Sequence, residues 1–202
     1  MSWRELAAAG HVGDEPLARE ALRGDDPVGR QLALGALHRM GSLTDDDLRG
    51  AFADADASVR HRAVLLAATR TEISLLGVLA DASPSVVEAA AWAAGEQQPL
   101  LDPPDDAVLQ RLIELATGSA DPLVREAAVA SLGAIGDERG LPAILAGCND
   151  KPAVRRRAVL ALAPFDGPEV QAALSAALED RDWQVRQSAE DVTPFMRPDE
   201  RD

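Results

Sequence analysis

The chain has 202 residues, 34 acidic and 20 basic, for a net charge of −14; 47% are hydrophobic but only 3% aromatic, with no Tyr. That charge disfavours any function built on a nucleic-acid backbone, which needs a positive surface over at least one face. The longest apolar stretches, residues 89–95 and 159–163, fall far short of the roughly 20 residues of a membrane-spanning helix, so none is predicted.

From the start, Met1-Ser2-Trp3-Arg4-Glu5-Leu6 carries an acid and no apolar run. It does not read as a secretory signal, and the cytoplasm is the expected location. A frayed turn is expected around Trp3. A pattern then recurs six times, at 26–33, 56–63, 83–90, 121–128, 151–158 and 182–189: a turn, Val-Arg or its equivalent, and an Ala three residues after the Arg. The Arg position, held by Arg30, Arg60, Val87, Arg125, Arg155 and Arg186, advances by 30, 27, 38, 30 and 31 residues. An Asp or Ser stands where a helix needs an N-cap, and Pro often follows at a first-turn position where its missing N–H does no harm. Apolar residues then return at helical spacing, as in Val124, Ala128, Leu132 and Ile135, or Val154, Ala158, Leu162 and Phe165.

Each such segment is the second helix of a hairpin. The first helices are predicted at 16–23, 44–53, 71–80, 105–118, 140–147 and 167–179. Six repeats follow, at 14–41, 42–70, 71–97, 105–136, 137–165 and 166–196, and they form one solenoid over 1–202 because no pair buries its own apolar stripe. The 38-residue step marks the Pro-rich, acidic segment 97–106 as an irregular loop. Residues 197–202 are expected to fray.

The motif Asp-Pro-x-Val-Arg-x-Ala-Ala-x-x-x-Leu-Gly, best preserved from Asp121 to Gly133, resembles the HEAT repeats, and the short period looks like their phycobilisome-lyase-type subclass. The resemblance runs from about Asp14 to Phe195. It implies an all-α, right-handed α-α superhelix of the HEAT/armadillo type. It also implies a polar ladder in which a turn Asp and the helix Arg of successive repeats interact, making Arg30, Arg60, Arg125, Arg155 and Arg186 structural. An Arg one residue after a core Val is only partly exposed and needs a carboxylate partner, which agrees. In the third repeat Val87 and Ser83 replace the ladder pair, so apolar contact alone is expected there.

No catalytic constellation emerges. His11, His38 and His61 lie in separate settings and none is followed by Glu. The deoxyhypusine hydroxylases, similar in repeat type, hold iron through His-Glu pairs, so that reading lacks its ligands and neither metal nor cofactor is predicted. Cys148 is the only cysteine, which excludes an internal disulfide and leaves a small buried residue. Gly133 and Gly136 read as a helix C-cap rather than a phosphate loop. Asp45, Asp46 and Asp47 open a helix, where carboxylates suit the dipole, and Asp102, Asp105 and Asp106 lack calcium-loop spacing. HEAT-like alkylpurine DNA glycosylases use aromatic residues on a basic face; Trp92 and Trp183 would have to serve, against the charge of the chain. A single Lys among 20 basic residues suggests a GC-rich bacterial genome.

A curved repeat surface is most often used to bind another macromolecule. The second helices are expected to line the concave side. With the core residue at the repeat's Val as position zero, positions two, three and six should face outward. They place Leu65, Trp92 and Leu160 in a strip flanked by His61, Arg62, Arg156 and Arg157, suited to a protein or peptide partner. The reading is a non-catalytic scaffold or adaptor; the alternative is an accessory factor of the phycobilin-lyase type that handles a chromophore on a client protein.

Overall fold

The computed structural model describes residues 3–193. The end of the sixth repeat near Phe195 and the frayed segment 197–202 lie outside the described residues. Among these residues there are twelve α-helices and no strand. They are α1 (Trp3–Val12), α2 (Glu15–Leu22), α3 (Pro27–Met40), α4 (Asp45–Phe52), α5 (Ala57–Ala67), α6 (Pro84–Gln97), α7 (Asp106–Gly118), α8 (Pro122–Ile135), α9 (Leu141–Gly147), α10 (Pro152–Ala161), α11 (Pro168–Leu178) and α12 (Trp183–Val192). The chain divides into two compact units, one up to Ala93 and one from Ala94, with the division inside α6.

In the first unit α1, α3 and α5 pack side by side, while α2 packs on α3 and α4 on α5. In the second unit α8, α10 and α12 form the equivalent row, and α7, α9 and α11 pair with them as hairpins. The row helices start where the sequence supplies caps. The Asp26 carboxylate accepts from the amides of Val28 and Gly29, Asp56 from Ser58, Asp121 from Leu123 and Asp182 from Gln184. Pro27, Pro122 and Pro152 occupy the first helical turn, where an amide hydrogen would have no intrahelical acceptor. Val124, Ala128 and Leu132 of α8 are buried, as are Val154, Ala158, Leu162 and Phe165 in and after α10.

Small residues set the spacing of the row. A Cβ on Gly133 would lie 2.6 Å from both Cα and Cβ of Ala161, and one on Gly95 would lie 2.7 Å from the Ser131 hydroxyl. The helices therefore touch almost backbone to backbone. Gly133 is thus a buried packing residue in the last turn of α8 and not a cap; Gly136, with φ of 70°, is the left-handed residue that ends the helix.

Three segments depart from expectation. The segment around Trp3 is a ten-residue helix that packs on α3, with Leu6 and Ala9 buried. Residues 71–80 do not form an α-helix: Ile73 and Leu75 reach the core from irregular chain, and Leu79 from a 3-10 turn over Val78–Ala80. The 27-residue step leaves too little chain for a full helix and its turns, and Ser74 and Gly77 disfavour one. After α6, Gln98–Leu100 makes a 3-10 turn before the irregular stretch. Gln98 is buried there, and its side-chain carbonyl accepts from the Asp105 amide at 2.7 Å.

The polar ladder uses a different carboxylate from the one expected. Arg30 grips Asp54 through Nε and Nη2 at 2.7 and 2.8 Å, and Arg60 grips Asp81 at the same distances. In the second unit Arg125 holds Asp150 at 2.6 and 2.7 Å, and Arg155 holds Asp180 at 2.8 and 2.8 Å. Asp54, Asp81 and Asp180 stand two residues before the capping position, so the turn supplies one residue for the cap and another for the rung. The third repeat keeps its acceptor, Asp81, and lacks only the donor, because Val87 replaces the Arg. Arg186 donates to the Asp180 carbonyl at 2.7 Å and has no carboxylate partner among the described residues.

In both units an Arg Nη1 group links one rung to the preceding one, while Arg30 and Arg125 use theirs on the turn carbonyls of Gly24 and Ser119. Arg60 donates to the Asp54 carbonyl at 2.8 Å and Arg155 to the Asp150 carbonyl at 2.9 Å. Each guanidinium holds its carboxylate below the ordinary range, with help from an amide donor in the turn.

Candidate functional site

The residues nominated from sequence fall on both units. In the first unit His61, Arg62 and Leu65 project from α5 and are half-buried. Trp92 projects from α6 and is 45% exposed, although Val86, Ala89, Ala90, Ala91, Ala93 and Ala94 on the same helix are buried. Arg62 reaches over α3: its Nη2 lies 3.0 Å from where a Cβ on Gly35 would be, and Arg39 Nη1 is 3.6 Å from that point. Gly35 therefore makes room for two guanidinium groups. Arg39, which the sequence pattern did not nominate, also donates to the Ala7 carbonyl at 3.3 Å.

In the second unit Arg156, Arg157 and Leu160 share α10 and are half-buried. Both arginines approach one carboxylate of α8, with Arg156 Nη2 at 3.6 Å and Arg157 Nε at 3.7 Å from the same oxygen of Glu126. These separations give charge attraction but exceed a hydrogen bond. The Arg157 Nε is itself buried and has no hydrogen-bond partner.

Beside Arg157 lies an open depression of about 620 Å³, lined by Ala130, Gly133 and Ala134 of α8, by Leu160 and Ala161 of α10, and by Ala163 and Pro164 beyond it. It exists because α8 shows only small side chains at 130, 133 and 134. That spacing of three and one is legible as one helix face, but small residues read equally as core, so only Leu160 and Arg157 were singled out from sequence.

Not every position expected to face outward does so. Gly35, Ala89 and Ser188 are buried. Ala89 and Ser188 hold position three, at the edge of the packed stripe, where a small residue is covered while an Arg extends past the rim, and Gly35, at position six, is covered by Arg62 and Arg39. Trp183 is 65% exposed at the start of α12, away from the lining of the depression. His11 and His38 are exposed, and no group of three potential metal ligands is close enough to hold an ion among the described residues. No helix of the described residues is long and apolar enough to cross a membrane. Burial pushes the Cys148 thiol up to about 11, which keeps it protonated at neutral pH.

The sequence that folds into these repeats matches known families. A HEAT-repeat model matches residues 72–153 and a PBS lyase HEAT-like repeat model matches residues 154–180, together more than half of the chain. The chain belongs to the HEAT-repeat family. No curated protein matches it in sequence. Among solved structures, this HEAT-repeat chain is similar to a designed armadillo repeat protein in complex with the peptide (KR)4, with a TM-score of 0.67 and 18% identity over 91% of this chain and 99% of that one. It is also similar to YibA of Escherichia coli, with a TM-score of 0.64 and 17% identity over 93% of this chain and 72% of that one. An engineered protein gives a TM-score of 0.59 and 19% identity over 91% and 98% of the two chains. At these identities the likeness establishes the fold, an all-α repeat architecture of the HEAT and armadillo type.

Proposed function

We propose that this HEAT-repeat chain is a non-catalytic scaffold or adaptor that binds a protein or peptide through the faces of its second helices. The observation that carries this reading is Trp92. A tryptophan 45% exposed in the middle of a helix whose other apolar residues are buried leaves a large amphipathic surface in water, the kind of residue that anchors interfaces. Arg62, with no acidic partner among the described residues, and Leu65 extend the surface on α5. Arg156, Arg157 and Leu160 supply the corresponding face of the second unit. A designed armadillo repeat protein of similar fold holds a peptide, which supports a peptide-like partner.

The test is capture of partners from a lysate of the native organism. The double variant Trp92→Ala with Arg156→Ala should lose the captured proteins while its melting temperature stays at the wild-type value. Undiminished capture by that variant overturns the reading.

A further inference from the structure

The depression of the second unit has a defined chemistry, and it rests on the reading that the second helices bind a peptide-like partner. Its floor is Ala130, Ala134, Leu160 and Pro164, small and apolar, so it accepts aliphatic groups without a polar penalty. Arg157 lines it, and shares the single carboxylate of Glu126 with Arg156 at distances too long for hydrogen bonds. The Nε of Arg157 is buried and lacks an acceptor. A buried donor left unmade is costly, and most buried donors in folded proteins find a partner. Arg156, Arg157 and Glu126 together leave one positive charge in excess there, with the Arg157 side chain 41% exposed, on a chain whose net charge is −14.

We infer that this depression is a docking site for an acidic peptide segment in which a Glu or Asp carboxylate pairs with Arg157 and a neighbouring aliphatic side chain fills the space over Ala130 and Ala134. A cationic segment would face both guanidiniums, and an uncharged one would offer acceptors without the charge attraction. Glu126 acts as an internal stand-in for the ligand: it tempers the two arginines in the free protein and competes weakly because it stands 3.6 Å from the nearer one, beyond hydrogen-bond length. A bidentate carboxylate from a partner would replace attraction at a distance with hydrogen bonds.

The experiment is fluorescence anisotropy of a labelled octapeptide that alternates Glu and Leu and is blocked at both ends, titrated with the intact chain. Otherwise identical peptides carrying Gln or Lys in place of Glu serve as references. The Glu peptide should bind at least about tenfold tighter than the Gln peptide, the Lys peptide should not bind, and added salt should weaken the complex.

Arg157→Gln should remove that preference, and Ala134→Phe, which fills the depression, should remove binding of both Glu and Gln peptides. Glu126→Gln should tighten the Glu peptide several-fold, a gain that a purely structural role for Glu126 does not produce. Trp92→Ala should leave this affinity unchanged, so the site can fail while the broader scaffold reading stands, and the reverse. Equal affinity for the Glu and Gln peptides, no binding of the Glu peptide up to about 1 mM, or displacement of the peptide by octanoate at similar strength overturns the inference. Self-association of the chain that disappears in Arg157→Gln also overturns it, in favour of a second copy as the occupant.

Discussion

Arg155 is the most buried ladder donor, with 8% of its side chain exposed against 15% for Asp180. Replacing it by Met keeps the volume of the stem and removes two charge-assisted hydrogen bonds to Asp180 and one to the Asp150 carbonyl. A fully buried pair broken on one side costs about 3–5 kcal/mol. Asp180 keeps the Asp182 amide at 2.8 Å and some contact with water, so the expected loss here is about 2–3 kcal/mol.

Asp180→Asn should cost about 2 kcal/mol, since the guanidinium retains a carbonyl acceptor. The double variant should cost less than the sum of the two by about 2 kcal/mol, which is the coupling across the rung. Arg49→Met is the control, because the Arg49–Asp46 pair is 51% and 94% exposed and should be worth less than about 0.5 kcal/mol. Urea unfolding followed by far-UV circular dichroism measures all four. A cost for Arg155→Met no larger than for Arg49→Met, or strict additivity in the double variant, would show that the rung contributes nothing to stability.

Other perturbations read different parts of the molecule. The ladder carboxylates have depressed pKa values in the fold, so their contribution is fully present above the unfolded value of about 4 and is lost as pH falls through the folded values. Unfolding midpoints should therefore be level from neutral pH down to about pH 4 and drop below it, and Asp54→Asn should flatten that drop. Gly133→Ala should destabilise by about 1–3 kcal/mol, since its Cβ meets the α10 backbone. Gly50→Ala, in α4 with nothing within 4 Å, should stabilise by about 0.5–1 kcal/mol in the same urea titration. Cys148 should react with a thiol reagent at neutral pH far more slowly in the folded chain than in urea; equal rates would contradict its burial.

The second helices were legible because chemistry at their start repeats: Asp26, Asp56, Asp121 and Asp182 each cap a helix that the motif marks. α1 was not, because its start lacks the Val-Arg-x-x-Ala motif that marks the other row helices, and only its packing on α3 makes Leu6 and Ala9 a buried stripe. Residues 71–80 carry apolar spacing that suits a helix, and the shortness of the step decides otherwise. The ladder acceptor was misassigned because two aspartates stand two residues apart in one turn, as Asp54 and Asp56 do, and spacing alone does not say which one the Arg reaches. At the candidate site, exposure of Trp92 followed from helical phase, whereas the depression beside Arg157 depends on how closely α8 and α10 approach. That approach is set by Gly133, whose part in it no one-dimensional pattern reveals.

Every ladder rung joins one positive to one negative residue, so the four rungs cancel and leave the charge of −14 to residues outside them. The charge paired inside the rungs and the net charge of the chain are therefore independent inventories. A lineage could recolour the exterior toward neutral or basic, and so change which molecules the chain repels or attracts, without touching a single interior pair. The opposite also holds: identical rungs in two such chains would say nothing about whether they share a partner.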